Sequence, residues 1–419
     1  RSALSLFIWK AGEGICLALS SGTQTGNVQA DSPAGSIQAY EKGNFGRKTA
    51  KMILYILVAV LTVLLGLTVQ KAENGRNSGI TRQQALNAVS LFFMFLILFA
   101  VAASRLNVGN DYAKYVEFMH LTYCNAYVPT EVGFNLLTKA IYGISGFENY
   151  LLVFAIFAFF TVLLFLQAIY RQAESFGFSF FLFMAFGYYF QSFSTVRYCL
   201  ALAVALIAIP YLLEKEYGRF LVLILIGAAF HKSVLVVLVL YPLAVRCWKK
   251  WQLALAGVFC LSFFFLQDFY LRVVVFLYPT YEETEYLSGG TSYVNIARCF
   301  GILILSLILY KKAVKGNRVM NFWFNCNLGA LVMYVCCSFL PIISRIGYYL
   351  TITHIFFLPA LIRQIENEKW RKLLTAGAVA AGILYFALLM MRAADPGFRI
   401  LPYQTFFFHE MVPILSDVN

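Results

Sequence analysis

Cationic residues stand at the ends of several apolar runs in this sequence, where the orientation of a membrane protein does not require them. They are Arg105, Arg197, His231, Lys232, Arg298 and Arg345. Ionisable groups are costly near the hydrocarbon boundary and commonly mark a pathway or a bound anion. Because arginine offers a planar fork of donors that matches phosphate oxygens, we expect this set to bind a phosphate-bearing ligand.

Two carboxylates near these cations have the setting of a general base, the group that takes a proton from a reacting hydroxyl. Asp111 lies in Asn107-Val-Gly-Asn-Asp-Tyr112, a glycine-containing turn that follows an apolar run. Glu131 follows Pro129 and Thr130 at a predicted helix start, where the helix dipole explains a carboxylate as well as catalysis does. We therefore predict Asp111 as the base and keep Glu131 as the second candidate.

Arg197 is predicted to point into a helical bundle. The residues after it at helical spacing, Ala201, Ala205 and Ala208, form a stripe of small side chains that permits close helix contact. Gln191 offers a polar partner nearby. The alternative is that the guanidinium extends to the membrane interface, as is common for arginine near helix ends.

Arg345 is followed at helical spacing by Tyr348 and Tyr349, so the cation and the phenol rings can share one helix face. For the tyrosines taken alone, an aromatic belt at the membrane interface is the better interpretation.

Sequence motifs for nucleotide or metal chemistry are missing. There is no GxxxxGKS/T loop, HExxH pair, GxSxG elbow or Asp-x-Asp pair, and the nine cysteines include no CxxC pair. We predict no cofactor and no metal, with the cysteines serving as small apolar residues. Protein cations would then have to offset any developing negative charge.

The composition excludes a soluble domain, because 61% of the residues are hydrophobic and only 13% are charged. The apolar residues fall into long runs, which predicts an all-α, polytopic transmembrane helical bundle. The net charge of +13 comes mainly from short clusters between the runs. That pattern indicates membrane orientation and not a nucleic acid partner.

One apolar run, from Phe220 to Val245, is interrupted by His231 and Lys232, and both of its flanks are basic. Basic flanks belong on the cytoplasmic side. The run must then enter the membrane, turn near His231 and return, as a re-entrant hairpin or as two short helices. With the other runs this predicts about 10–12 membrane segments.

The chain is predicted to have one transmembrane domain, residues 52–419, with external loops at 105–149 and 268–298. Residues 1–51 are predicted to be a non-native or disordered extension, because the first methionine is Met52 at the start of the first apolar run. Both ends of the domain are then external. The two loops are rich in tyrosine, which favours order at the membrane interface.

From about Met52 to Tyr403, the sequence resembles the EpsG-like membrane proteins of bacterial exopolysaccharide clusters, which are related in role to Wzy polymerases. Asn110 and Tyr198 depart from the family's usual Thr and Gln and leave the charged residues in place. The motifs that carry the resemblance are Arg105-x-x-Val-Gly-x-Asp-Tyr112 with Tyr115, Glu131-Val-Gly-Phe, Tyr189-x-Gln191, Val-Arg197, Leu-Ala201, Phe230-His231-x-Ser233, Arg345 before Tyr349, and Pro402-Tyr403.

The resemblance implies polymerisation of oligosaccharide repeat units carried on undecaprenyl pyrophosphate, at the external face of the bacterial cytoplasmic (inner) membrane. The enzyme would be a metal-independent glycosyltransferase that works among membrane lipid with a flippase and a chain-length regulator. The candidate catalytic residues are Asp111, His231 and Glu131. The candidate substrate-binding residues are Arg105, Tyr112, Gln191, Arg197, Arg345 and Tyr349.

Two other functions share these features. A transporter or flippase of lipid-linked sugars would also need cations and aromatic rings, but transporters often carry broken helices in corresponding halves, and only one broken run is evident. A membrane acyltransferase that modifies the polysaccharide could use His231 as its base, with an entrance for the acyl donor on the cytoplasmic side.

Overall fold

The computed structural model describes residues 52–70, 81–277, 292–340 and 343–408. The prediction for residues 1–51 therefore lies outside the described residues, as do residues 278–291 of the predicted loop 268–298. Among the described residues the fold is helical throughout, which confirms the all-α prediction. Only an isolated bridge between Arg105 and Thr405 has extended pairing in this part of the chain.

The α-helices are numbered in chain order over the described residues. They are α1 (Met52–Thr68), α2 (Arg82–Ala103), α3 (Tyr112–Tyr123), α4 (Val132–Ser145), α5 (Tyr150–Gln172), α6 (Phe176–Ala185), α7 (Tyr188–Ser194), α8 (Val196–Leu213), α9 (Tyr217–Ala228), α10 (Val237–Val245), α11 (Lys250–Phe265), α12 (Gln267–Leu277), α13 (Tyr293–Ile308), α14 (Arg318–Cys336), α15 (Ile343–Thr351), α16 (His354–Arg363) and α17 (Glu368–Met391).

The chain is a multi-pass membrane protein. Six helical segments of the described residues are long and apolar enough to cross a membrane, with α15 and α16 counted as one. A further pair, α11 and the start of α12, passes the same test but bends by 89°. Five shorter apolar helices complete the set. Large apolar side chains such as Phe92, Val258 and Leu384 point outward, as a lipid-facing surface requires.

Helix α8 lies at the centre of the bundle and packs against α5 and α9. The small-residue stripe of Ala201, Ala205 and Ala208 is completely buried, as its spacing predicts. Small side chains let neighbouring backbones approach closely in a membrane, where packing and not the hydrophobic effect drives helix association. The start of α8, which carries Arg197, is therefore held in place by the neighbouring helices.

The interrupted run folds as two short helices. Helix α9 ends at Ala228, His231 is extended (φ −153°, ψ 109°), and a 3₁₀ turn over Lys232–Val236 leads into α10. The end of α10 then lies at the same end of the bundle as the end of α8, because both helix ends are hydrogen-bonded to α14. Arg318 of α14 donates to the carbonyl of Leu212 at 3.4 Å.

The second tie comes from Asn325, also on α14, whose amide donates to the carbonyl of Ala244 at 2.8 Å. Since α9 begins four residues after Leu213, α9 and α10 leave this end of the bundle and come back to it. The predicted turn near His231 is confirmed.

The opposite end of the bundle, where α2 ends and α8 begins, is called the Arg105 end. The segment that follows α17 folds back onto this end. Leu106 donates its backbone N–H to the carbonyl of Gln404 at 2.9 Å. Ser194 donates its hydroxyl hydrogen to the carbonyl of Phe398 at 2.9 Å. The predicted loop 105–149 is mostly the helix pair α3 and α4, which pack on each other.

Candidate functional site

A cavity of about 630 Å³ opens at the Arg105 end. It is formed by α3, the segment before α4, the start of α8, the turn between α9 and α10, and the start of α15. Its lining includes six of the residues predicted from the sequence. These are Asp111, Glu131, Arg197, His231, Lys232 and Arg345.

Asp111 is placed by a glycine two residues before it. Gly109 has φ +108°, a conformation that side-chain-bearing residues rarely adopt, and a Cβ there would lie 2.1 Å from the carbonyl oxygen of Phe193. Its N–H donates to the carbonyl of Arg399 at 2.9 Å. The turn therefore fits directly against α7, and only glycine permits the contact.

The Asp111 side chain has no structural duty among the described residues. It stands at the N-cap of α3 without a side-chain capping bond, and it forms no ion pair within the described part of the chain. Burial raises the pKa of the Asp111 carboxyl above its usual value, although Arg345 and Lys114 oppose this shift. Asp111 is therefore a partly buried carboxylate that no described residue pairs with.

The Glu131 carboxylate, in contrast, is occupied on both oxygens. Oε2 pairs with Nη1 of Arg197, and Oε1 accepts the backbone N–H of Lys232 at 3.1 Å. Glu131 is the N-cap residue of α4 but makes no side-chain capping bond. Glu131 therefore stands at the predicted helix start without a capping bond, and its carboxylate joins α8 to the turn between α9 and α10.

Arg197 is turned into the protein. Its guanidinium lies 5.5 Å from the ring centroid of Tyr115 and 5.3 Å from that of Phe134, and its Nε is buried with no partner among the described residues. The predicted inward orientation is confirmed over extension to the interface.

Helix α4 and the turn after α9 are locked together by their backbones. The N–H of Gly133 donates to the carbonyl of Ala229 at 2.7 Å, and a Cβ on Gly133 would come within 2.6 Å of that oxygen. This close approach brings Glu131, two residues earlier, next to Lys232.

His231 is held in one tautomer. Its Nδ1 lies 3.3 Å from the backbone nitrogen of Ser233 and 2.8 Å from the Ser233 hydroxyl, which in turn lies 3.0 Å from the hydroxyl of Tyr349. A backbone N–H can only donate, so Nδ1 accepts and the ring proton is on Nε2. Tyr349, predicted to bind substrate, contacts Ser233 and is not part of the cavity lining.

Burial, with the neighbouring Arg197, Arg345 and Lys232, lowers the pKa of His231 to about 3. The imidazole is therefore neutral at physiological pH, and it offers the cavity an Nε2–H donor and no positive charge. Tyr198 and this ring pack edge to face with their centroids 5.5 Å apart.

The hydroxyl of Ser233 should matter measurably because it donates to His231. We expect Ser233→Ala to lower activity by about threefold to tenfold, the cost of about 1 kcal/mol for one net hydrogen bond. Ser192→Ala is the matched control, since Ser192 is also buried and, in the described part of the chain, its hydroxyl bonds only to the carbonyl of Tyr189 within its own helix. Equal activity of the two variants would contradict the role of Ser233.

The remaining predicted residues lie elsewhere. Arg105 is 2% exposed, with its guanidinium 5.2 Å from the centroids of both Phe154 and Phe193, and it donates to the carbonyl of Ala102 at 2.8 Å. The charge is thus held between two aromatic rings, away from the cavity lining.

Two further predicted residues are also absent from that lining. Tyr112 is stacked on Phe154 at 4.5 Å, and Gln191 lies on α7. The prediction missed Lys114, which lies three residues after Asp111 and so shares its helix face. It also missed Ser233 as the link between His231 and Tyr349.

The charges that line the cavity favour the binding of an anionic ligand. Four cationic side chains, Lys114, Arg197, Lys232 and Arg345, accompany two carboxylates, while His231 is neutral. Among the described residues, no group of three or more His, Cys, Asp or Glu side chains could hold a metal ion.

Comparison with known proteins identifies the family. No match was found among curated proteins or among solved structures. The model of the EpsG family matches residues 88–405, which include every residue of the cavity lining. Since this match covers well over half of the sequence, the chain belongs to the EpsG family of exopolysaccharide-related membrane proteins.

Proposed function

We propose that this protein polymerises oligosaccharide repeat units linked to undecaprenyl pyrophosphate, at the external face of the bacterial cytoplasmic membrane. The observation that carries the proposal is the cavity itself. In it the Asp111 carboxylate, which makes no capping bond or ion pair with the described residues, stands beside an excess of cations. The cavity lies at the end of the bundle that the distribution of Lys and Arg predicts to be external. The exopolysaccharide family supports the same chemistry.

In the proposed reaction, a hydroxyl of the acceptor sugar attacks the anomeric carbon of the donor chain. The new glycosidic C–O bond forms as the bond between that carbon and the pyrophosphate oxygen breaks. Asp111 takes the hydroxyl proton, and the undecaprenyl pyrophosphate leaves with the bonding electrons. A carboxylate with a raised pKa suits this task, because a stronger base takes a proton more readily.

The leaving pyrophosphate is stabilised by three groups. Arg345 is exposed to the cavity, and no ion pair occupies it in the described part of the chain, so its guanidinium can bind the phosphate oxygens with two parallel bonds. Arg197 is fixed in place by Glu131 and adds positive charge. His231 donates from Nε2 without a change of protonation. Fixed donors of this kind need no rearrangement during the reaction.

The pH dependence of the rate should follow Asp111 and not His231. Because a base must be ionised, and because the pKa of Asp111 is raised, activity should fall on acidification through a pH above the ordinary aspartate value. His231, with its pKa near 3, is already neutral there, so it should add no step near pH 6.5. His231→Gln should lower the rate at every pH and keep the shape of the profile. An acidic limb that disappears in His231→Gln would contradict this assignment.

The decisive experiment uses purified protein in lipid vesicles with lipid-linked repeat units. A ladder of longer glycans supports polymerisation. Movement of the substrate across the bilayer without elongation would show a transporter, and acyl transfer to the glycan without elongation would show an acyltransferase. A flippase and a chain-length regulator are the partners that this function would require in the cell.

A further inference from the structure

A second, smaller cavity of about 250 Å³ lies between α3 and α4. The cavity that contains Asp111 is called the reaction cavity to distinguish the two. The second cavity has a lining that includes Tyr123, Asn125, Lys139, Tyr142 and Gly143. We propose that it is a separate sugar-binding subsite, which holds the glycan chain at a distance from the bond being formed. This inference rests on the proposed function, because that function supplies the glycan.

The two cavities are neighbours, because their lining residues are close together along the chain. Tyr127 lines the reaction cavity and Asn125 lines the second one, so their Cα atoms lie within about 8 Å by chain geometry. Helix α3 joins the cavities in the same way: Phe118 lines the first, and Thr122, about one turn later, lines the second. A glycan leaving the reaction cavity past Tyr127 therefore reaches the second cavity directly.

The side chains of the second cavity suit a sugar. Tyr123 and Tyr142 pack edge to face with their centroids 5.8 Å apart, and Tyr123 remains 49% exposed. Such a ring offers an apolar face to the C–H surface of a sugar and a hydroxyl to its polar groups. The rim residue Tyr127 is 87% exposed, so it adds an aromatic ring that is open to a ligand.

Hydrogen-bonding groups for sugar hydroxyls stand beside these rings. Lys139 donates from Nζ to Oδ1 of Asn125 at 3.0 Å, which orients the Asn125 amide and leaves its NH₂ group to donate. Asn125 has φ +55°, a left-handed conformation that asparagine tolerates better than most residues. Lys139 is the one charged residue of this lining, so uncharged or acidic sugars fit it better than basic ones.

Contacts beside the cavity hold α3 and α4 in place without a ligand. The imidazole of His120, near the end of α3, pairs with Glu148 at 2.9 Å and so ties α3 to the segment that follows α4. Gly146 ends α4 in the left-handed region (φ +73°) and donates its N–H to the carbonyl of Tyr142 at 2.9 Å. A preformed subsite loses less conformational entropy when it binds a flexible glycan.

Gly143 gives a direct test because a Cβ added there would meet nothing within 4 Å. Gly143→Trp should fill the cavity from within α4, and Lys139→Ala should remove the donor without adding bulk. The probe is partially hydrolysed exopolysaccharide of the producing bacterium, freed of lipid, with binding to purified protein followed by saturation-transfer NMR. We expect both variants to bind these fragments at least about tenfold more weakly than the wild type. On lipid-linked substrate, Gly143→Trp should make shorter glycans.

Gly218→Trp is the matched control, since Gly218 is also an exposed helical glycine with open space around it, near the start of α9. Its fragment affinity and product lengths should equal those of the wild type. Unchanged affinity and product length in both Gly143→Trp and Lys139→Ala would overturn the subsite and leave polymerisation standing. A wild-type protein that binds fragments through this cavity but makes no ladder would support the subsite and overturn the proposed function.

Discussion

Asp111→Asn should reduce elongation by about a hundredfold to ten-thousandfold, the usual cost of removing a general base, while the lipid-linked donor still binds. Asparagine keeps nearly the same shape and loses the charge that accepts the proton. Because the Asp111 side chain makes no capping bond and no ion pair in the described part of the chain, the substitution should not unfold the turn that follows Gly109. Elongation and donor binding are measured separately on the same membranes.

The control for this result is Asp395→Asn, which makes the same chemical change in the segment after α17, outside the cavity lining. It should elongate at the wild-type rate. Near-normal elongation by Asp111→Asn would refute the assignment of the base. A larger loss from Glu131→Gln, with donor binding intact, would move the base to Glu131 despite its pairing with Arg197.

The same membranes test the prediction of a metal-free reaction. Elongation by the wild-type protein should survive treatment with a chelator, since the cavity cations are proposed to offset the charge of the leaving group. Complete loss of activity that returns on addition of a divalent metal would contradict this expectation.

The general fold could be predicted from the sequence because it depends on local composition. Apolar runs of membrane length fix the helices, and the interruption at His231 and Lys232 fixes the turn between α9 and α10. The small-residue stripe after Arg197 likewise predicts the close packing of α8, which is buried on most of its surface. Each of these features can be seen within about twenty residues of the chain.

The partners of individual charges could not be predicted in the same way, because they depend on contacts between distant segments. Arg105 and Arg197 look alike in the sequence, yet Arg105 is enclosed by Phe154 and Phe193, whereas Arg197 meets Glu131. The use of Glu131 as a link, and not as a cap, likewise follows from the backbone contact between α4 and the turn after α9.

Arg345 is predicted to be the main contact of the donor pyrophosphate. Its backbone is fixed by the Tyr198 hydroxyl, which donates to the Arg345 carbonyl at 2.6 Å, while its side chain is exposed to the cavity. Arg345→Ala removes a charge-assisted pair of hydrogen bonds worth about 1.5 to 3 kcal/mol each. We therefore expect the donor to bind at least about tenfold more weakly, with a smaller effect on the rate at saturating donor.

Arg345→Lys separates charge from geometry, since lysine keeps the positive charge but lacks the planar fork. It should recover only part of the lost affinity. Arg392→Ala, an exposed arginine at the same end of the bundle but outside the cavity lining, should bind donor normally. Donor titration of the three variants in vesicles measures these differences. If Arg345→Ala binds donor as tightly as Arg392→Ala does, the pyrophosphate is not held by Arg345, and Arg197 and Lys114 become the cations to test.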